Sequence, residues 1–127
     1  FMLHALSAFS IEETTARLHV TQPKSGLDVR YLSPVPLTFG QTDGYVPKPT
    51  KEFPNQWHVE TGTTELRRTL GMVTVLVPSR TGGAPSWEAT RTDDATGVAV
   101  EVTMGGQRHV LRFPTPGGAE PVSVTSR

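Results

Sequence analysis

Apolar and polar residues alternate with a period of two along most of this chain, in short runs broken by Gly, Pro, Asp and Ser. That is the pattern of strands with one covered face. In ARLHVTQ, Ala16, Leu18 and Val20 fall on one side and Arg17, His19 and Thr21 on the other. In LDVRYLS, Leu27, Val29 and Tyr31 point inward and Asp28, Arg30 and Leu32 outward. PKSG between the two runs supplies turn chemistry. GMVTVLVPS is apolar almost throughout, which predicts a central strand covered on both faces.

The strongest local signal is GVAVEVTMGGQRHVLRF. Gly105-Gly106 can take the positive φ angles of a two-residue hairpin turn. That register sets Val98 opposite Phe113, Val100 opposite Leu111 and Val102 opposite His109. Helix signals are weak. Ser10 followed by Glu13 fits a capping box, but the β-branched pair Thr14-Thr15 favours a turn into a strand. TTELRRTLG reads as one helical turn or as the start of the strand that ends at Val77. PTPGGAEP reads as a loop before a last strand in VSVTS. Together these runs predict an all-β fold, a two-sheet antiparallel β-sandwich with little or no helix, as one domain over residues 1–127. The expected core is Leu18, Val20, Val29, Tyr31, Val75, Val77, Val98, Val100, Leu111 and Phe113.

Composition narrows the function classes. The chain has 127 residues, with 12 Lys and Arg against 12 Asp and Glu. A zero formal charge steers it toward neither nucleic acid nor an anionic membrane. No apolar stretch approaches the ~20 residues that span a bilayer, so no membrane insertion is expected. Cysteine is absent, which removes disulfides, thiol nucleophiles and thiolate metal sites. FMLHALSAF lacks a basic leader and a small-residue cleavage site, so it reads as a strand entered in mid-chain rather than a signal peptide. The expectation is a fragment of a larger, multidomain protein.

One stretch breaks the alternation. LTFGQTDGYVPKPTKEFPNQWHV, residues 37–59, stops an extended run and inserts three prolines and a cluster of aromatic and amide side chains. Flat aromatic faces stack on sugar rings, and amides and carboxylates hydrogen-bond their hydroxyls. Asp43, Tyr45, Gln56 and Trp57 in this stretch, with Trp87 after GGAPS, are therefore the candidate saccharide contacts. The competing reading is packing: tryptophans cap an open core or pack on a neighbouring domain. Packing is favoured, which makes the loop a domain seam. His4, His19, His58 and His109 lack the short spacings of a zinc site, so no metal is expected. No G-x-S-x-G is present, and Asp43, Glu60, Asp93 and Asp94 read as turn or loop acids. No catalytic residue and no cofactor is assigned.

FMLHAL, VRYLSP, LTFGQTDGY, FPNQWHV and TVLVPSR occur in an order that resembles the C-terminal region of heparinase II/III-like polysaccharide lyases. The resemblance covers residues 1 to 80. It implies a small C-terminal β-sandwich attached to an α/α toroid and a central sandwich. It also implies a parent enzyme that cleaves uronic-acid-containing polysaccharide by β-elimination, in a secreted or periplasmic location. The family's base and acid, commonly tyrosine and histidine, belong mainly to the other domains, so no catalytic role carries over. The expected function is an accessory, non-catalytic domain, partnered by the rest of the parent chain and by an acidic polysaccharide. An autonomous carbohydrate-binding module and a self-contained jelly-roll enzyme are the alternatives.

Overall fold

The structure is a computed structural model that describes residues 1–80, 85–115 and 121–127. The fold is all-β, with three antiparallel sheets and no α-helix among the described residues. The contacts divide the chain into two compact units, Phe1–Ala84 and Pro85–Arg127, where the sequence suggested a single domain.

In the first unit, β1 (Met2–Ala5), β2 (Ser10–Glu12), β3 (Arg17–Gln22), β4 (Ser25–Leu32), β5 (Leu37–Asp43), β6 (Trp57–Thr63) and β7 (Val73–Arg80) form two sheets. Their orders are β1-β6-β5 and β2-β3-β4-β7. Between β2 and β3 the capping-box segment makes only a 3-10 turn, Glu13–Thr15, closed by Ala16 in the left-handed region at φ 51°. TTELRRTLG forms neither a helix nor the start of β7, which begins at Val73.

The two sheets share one core. Leu18, Val20, Val29 and Tyr31 from one pack with Val59 from the other, and Phe9, in the link between β1 and β2, closes one end. Strand alternation explains the choice. Leu18 pairs with Val29 and Val20 with Leu27, so both strands turn the same apolar rows inward. Two inward hydroxyls interrupt this core. Tyr31 Oη and Thr61 Oγ1 are buried and interact across the sandwich without a well-formed hydrogen bond. Burial raises the Tyr31 pKa, and the Thr61 hydroxyl offsets part of that rise.

Two expectations need correction here. GMVTVLVPS becomes β7, which is an edge strand and not a central one. Pro78 has no N–H to give to a ladder, and prolines inside sheets are confined to edges. Leu76 is accordingly exposed. Register also puts Val77 opposite Asp28 and Leu76 opposite Val29, so Val77 lies on the face away from Val29. Leu32, expected outward, is buried on that same opposite face, as is Val77. Val75, half-buried, shares it.

The second unit is one four-stranded antiparallel sheet of β8 (Trp87–Asp94), β9 (Gly97–Met104), β10 (Gln107–Pro114) and β11 (Ser123–Ser126), ordered β11-β10-β9-β8. The GG hairpin has the expected register, with Val98 opposite Phe113, Val100 opposite Leu111 and Val102 opposite His109. Gly105 and Gly106 have φ of 57° and 82°, the signs a two-residue primed turn requires. Ala89, Val100 and Val102 are buried, while Val98, Leu111 and Phe113 are half-buried. VSVTS does form the last strand; of the loop PTPGGAEP, residues 116–120 lie outside the described residues.

The β8–β9 turn is built from side-chain chemistry. Asp94 Oδ1 accepts from the Thr96 N–H at 2.7 Å, the Thr96 hydroxyl at 2.6 Å and the Gly97 N–H at 3.1 Å. Those donors, the Thr96 hydroxyl foremost, hold the Asp94 carboxyl below the usual carboxylate range. Toward the other end of the sheet, Arg108 grips Glu101 with two bonds of 2.5 and 2.6 Å across β9 and β10, lowering the Glu101 pKa and raising that of Arg108.

Candidate functional site: the loop between β5 and β6

β5 and β6 are neighbours in one sheet, and the chain between them leaves it over residues 44–56. The base of this excursion is closed by its own hydrogen bonds. The Gly44 N–H donates to the Gln56 carbonyl at 2.9 Å, and Asn55 Nδ2 donates to Asp43 Oδ2 at 3.3 Å. Gly44 has φ of 83°, a conformation glycine reaches without strain. His58 Nε2, on the second residue of β6, donates to the Gly44 carbonyl at 2.7 Å. Further out, the Tyr45 hydroxyl donates to the Pro54 carbonyl at 3.1 Å, so one side of the loop is tied to the other. Prolines at 47, 49 and 54 fix φ and reduce the freedom the loop loses on folding.

The result is a formed cleft of about 590 Å³. Asp43, Tyr45, Lys48, Lys51, Phe53 and Asn55 line it, together with Glu52. The rings near it fall into a row. Phe53 and Tyr45 have centroids 6.4 Å apart, Tyr45 and His58 6.2 Å, and His58 and His4 4.4 Å in an edge-to-face contact. His4 and His58 meet because β1 pairs with β6, which sets the two residues opposite each other. Nothing local to either histidine shows this.

The residues singled out from the sequence separate into three places. Asp43 and Tyr45 line the cleft. Gln56 contributes its backbone carbonyl to the loop base. Trp57 shares a strand face with the buried Val59 and Thr61 and is half-buried at the end of the sheet, opposite Ala5 and Asp43. Trp87 lies on β8 of the second unit. Sequence reasoning passed over Lys48 and Lys51, and weighed His4 only as a metal ligand. The lysines were legible in KPTK, as two cations inside the one proline-rich loop.

The other histidines are held by local partners. His19 Nδ1 lies 2.9 Å from an Asp28 carboxylate oxygen, and His109 Nδ1 lies 2.8 Å from the Ser126 hydroxyl. Among the described residues no group of three or more His, Asp or Glu side chains gathers as a metal site would require.

Half-burial of Trp57 sets the scale of one prediction. Trp57→Ala should destabilise the first unit by about 1–3 kcal/mol, short of the ~3–5 kcal/mol of a fully buried aromatic. Denaturant unfolding followed on the first-unit amides measures this. A variant that unfolds with the parent would remove Trp57 from the framework.

No family model matches the chain, and neither a curated protein nor a solved structure matches it.

Proposed function

We propose that the chain is an accessory, non-catalytic β-sandwich domain of a heparinase II/III-like polysaccharide lyase. Its partners are then the remaining domains of the parent enzyme, and its location is that of a secreted or periplasmic protein. The observation that carries this reading is where the resembling segments fall. FMLHAL includes β1, VRYLSP ends β4, LTFGQTDGY is built on β5, FPNQWHV enters β6 and TVLVPSR lies within β7. Every one contributes strand residues to the framework of the two-sheet unit, and LTFGQTDGY and FPNQWHV also carry the two ends of the 44–56 loop.

The chemistry of the loop supports the same reading. β-Elimination on a uronate needs a base near C5, an acid at the leaving oxygen and a group that neutralises the carboxylate. Tyr45 and His58 are the residue types such chemistry uses, and they stand side by side. Yet the Tyr45 hydroxyl and His58 Nε2 each donate to a backbone carbonyl of the loop itself. Those protons hold the loop in shape.

The purified chain, incubated with heparin, heparan sulfate or alginate, should form no unsaturated uronate, as read from ultraviolet absorbance. Turnover that disappears in Tyr45→Phe or His58→Ala would make the loop an active site and end the accessory reading.

A further inference from the structure

We propose that the cleft inside the 44–56 loop binds an anionic saccharide, one pyranose carrying a carboxylate or a sulfate ester. The site stands on its own geometry and does not depend on the lyase reading.

Size comes first. A volume of about 590 Å³ lies within the roughly 300–1,000 Å³ of small-molecule clefts and holds a sugar ring with its substituents. The walls supply the three kinds of contact a charged pyranose offers. Tyr45 and Phe53 give ring surface for its C–H face, and Phe53 is 59% exposed. Asp43 meets Asn55 through Oδ2 alone, which leaves Oδ1 to accept from a sugar hydroxyl. Lys48 and Lys51 line the same cleft, and neither makes a hydrogen bond or ion pair among the described residues. Two ammonium groups without partners on one small concave surface are suited to an anion, through charge-assisted hydrogen bonds.

The charge balance selects among anions. Lys48 and Lys51 face Asp43 and Glu52 in the same lining, so the cleft sums to zero. Such a site accepts a single negative charge beside the lysines and disfavours a phosphate that carries nearly two. Lysines here act as point charges, without the arginine forks or converging backbone N–H groups that cradle phosphates. Glu52 opposes the bound anion, which gives the proposal a sign that can be checked.

The test is an amide-resolved NMR titration of the labelled chain with methyl glucuronide, methyl glucoside 6-sulfate, methyl glucoside and adenosine monophosphate. Methyl glucuronide should shift the amides of Gly44, Tyr45, Thr50 and Lys51 and saturate in the millimolar range. Methyl glucoside should bind about tenfold more weakly or not at all. Lys48→Gln with Lys51→Gln, both exposed, should remove that preference and leave the fold intact. Glu52→Gln should tighten the glucuronide and leave the glucoside unchanged. The sulfate arm assigns the anion: equal binding supports recognition of charge alone, weaker binding supports recognition of the planar carboxylate. Shifts absent from the loop, equal affinity for the neutral glycoside, or tighter binding of the nucleotide would each overturn the proposal. These outcomes leave the accessory-domain reading untouched, just as turnover by the chain would end that reading and leave the binding site in place.

Discussion

Gly97→Ala should unfold the second unit while sparing the first. Gly97 opens β9 directly after the Asp94 turn, with φ of 147°. A Cβ at this position would stand 2.1 Å from the Phe113 carbonyl oxygen and 2.9 Å from the Pro114 Cα. Both are backbone atoms of β10, the strand that pairs with β9, so no side-chain rotation relieves the clash. The ladder has to open at Gly97–Pro114, and the positive φ adds its own penalty. Overpacking contributes about 1–3 kcal/mol or more and the strained backbone about 1–3 kcal/mol. The sum approaches the whole stability of a small unit, which for domains lies at ~5–15 kcal/mol. Gly105→Ala is the control. Gly105 also has positive φ, 57°, but nothing lies within 4 Å of its added Cβ. It should cost only the left-handed preference, about 1 kcal/mol. Amide exchange on β8 to β10 reads both. If Gly97→Ala protects those amides as well as Gly105→Ala does, the close approach of the two backbones is not a constraint on this fold.

That turn also shows where sequence reading succeeds and where it stops. The GG hairpin was legible in full, because turn type and alternation fix register locally and agree with each other. The inward rows of β3 and β4 were legible for the same reason. β7 was misread because an apolar run looks alike in the middle of a sheet and at its edge, and Pro78 was the overlooked signal. Leu32 was misread because alternation names two faces without saying that both are covered. The contacts divide the chain between Ala84 and Pro85, a boundary that alternation alone does not mark. For the candidate site, residue type and loop composition pointed to Asp43 and Tyr45, and both line the cleft. The row through His58 to His4 was beyond reach, since it depends on pairing between strands far apart in sequence. Trp57 was read as packing, and its inward face and half-burial agree with that.

Gln41→Leu should be the most damaging change of nearly constant volume in the first unit. Gln41 sits in the middle of β5, opposite Val59, on the inward side of a sandwich where a polar side chain is unexpected. Its amide explains its presence. Oε1 accepts from the Phe9 N–H at 2.7 Å, and Nε2 donates to the Phe9 carbonyl at 3.2 Å. Phe9 lies between β1 and β2 with no ladder partner of its own, yet it is 5% exposed and belongs to the core. Backbone groups drawn inward require partners, and Gln41 supplies both, acting as a one-residue strand. Leucine keeps the volume and strands a donor and an acceptor together, at about 1–3 kcal/mol each, against which its added apolar burial recovers a part. A net loss of about 2–4 kcal/mol is expected from denaturant unfolding. Gln41→Glu separates the two bonds. Its carboxylate can still accept from the Phe9 N–H but faces the Phe9 carbonyl without a proton to give. That clash raises the new group's pKa in the folded state, so the variant should regain stability as pH falls and the carboxyl takes up the missing proton. The parent has no such group at position 41, so the pH dependence of the difference between the two proteins isolates the effect. If Gln41→Leu unfolds with the parent and keeps the Phe9 amide protected from exchange, another partner holds Phe9 and the strand-like role of Gln41 is wrong.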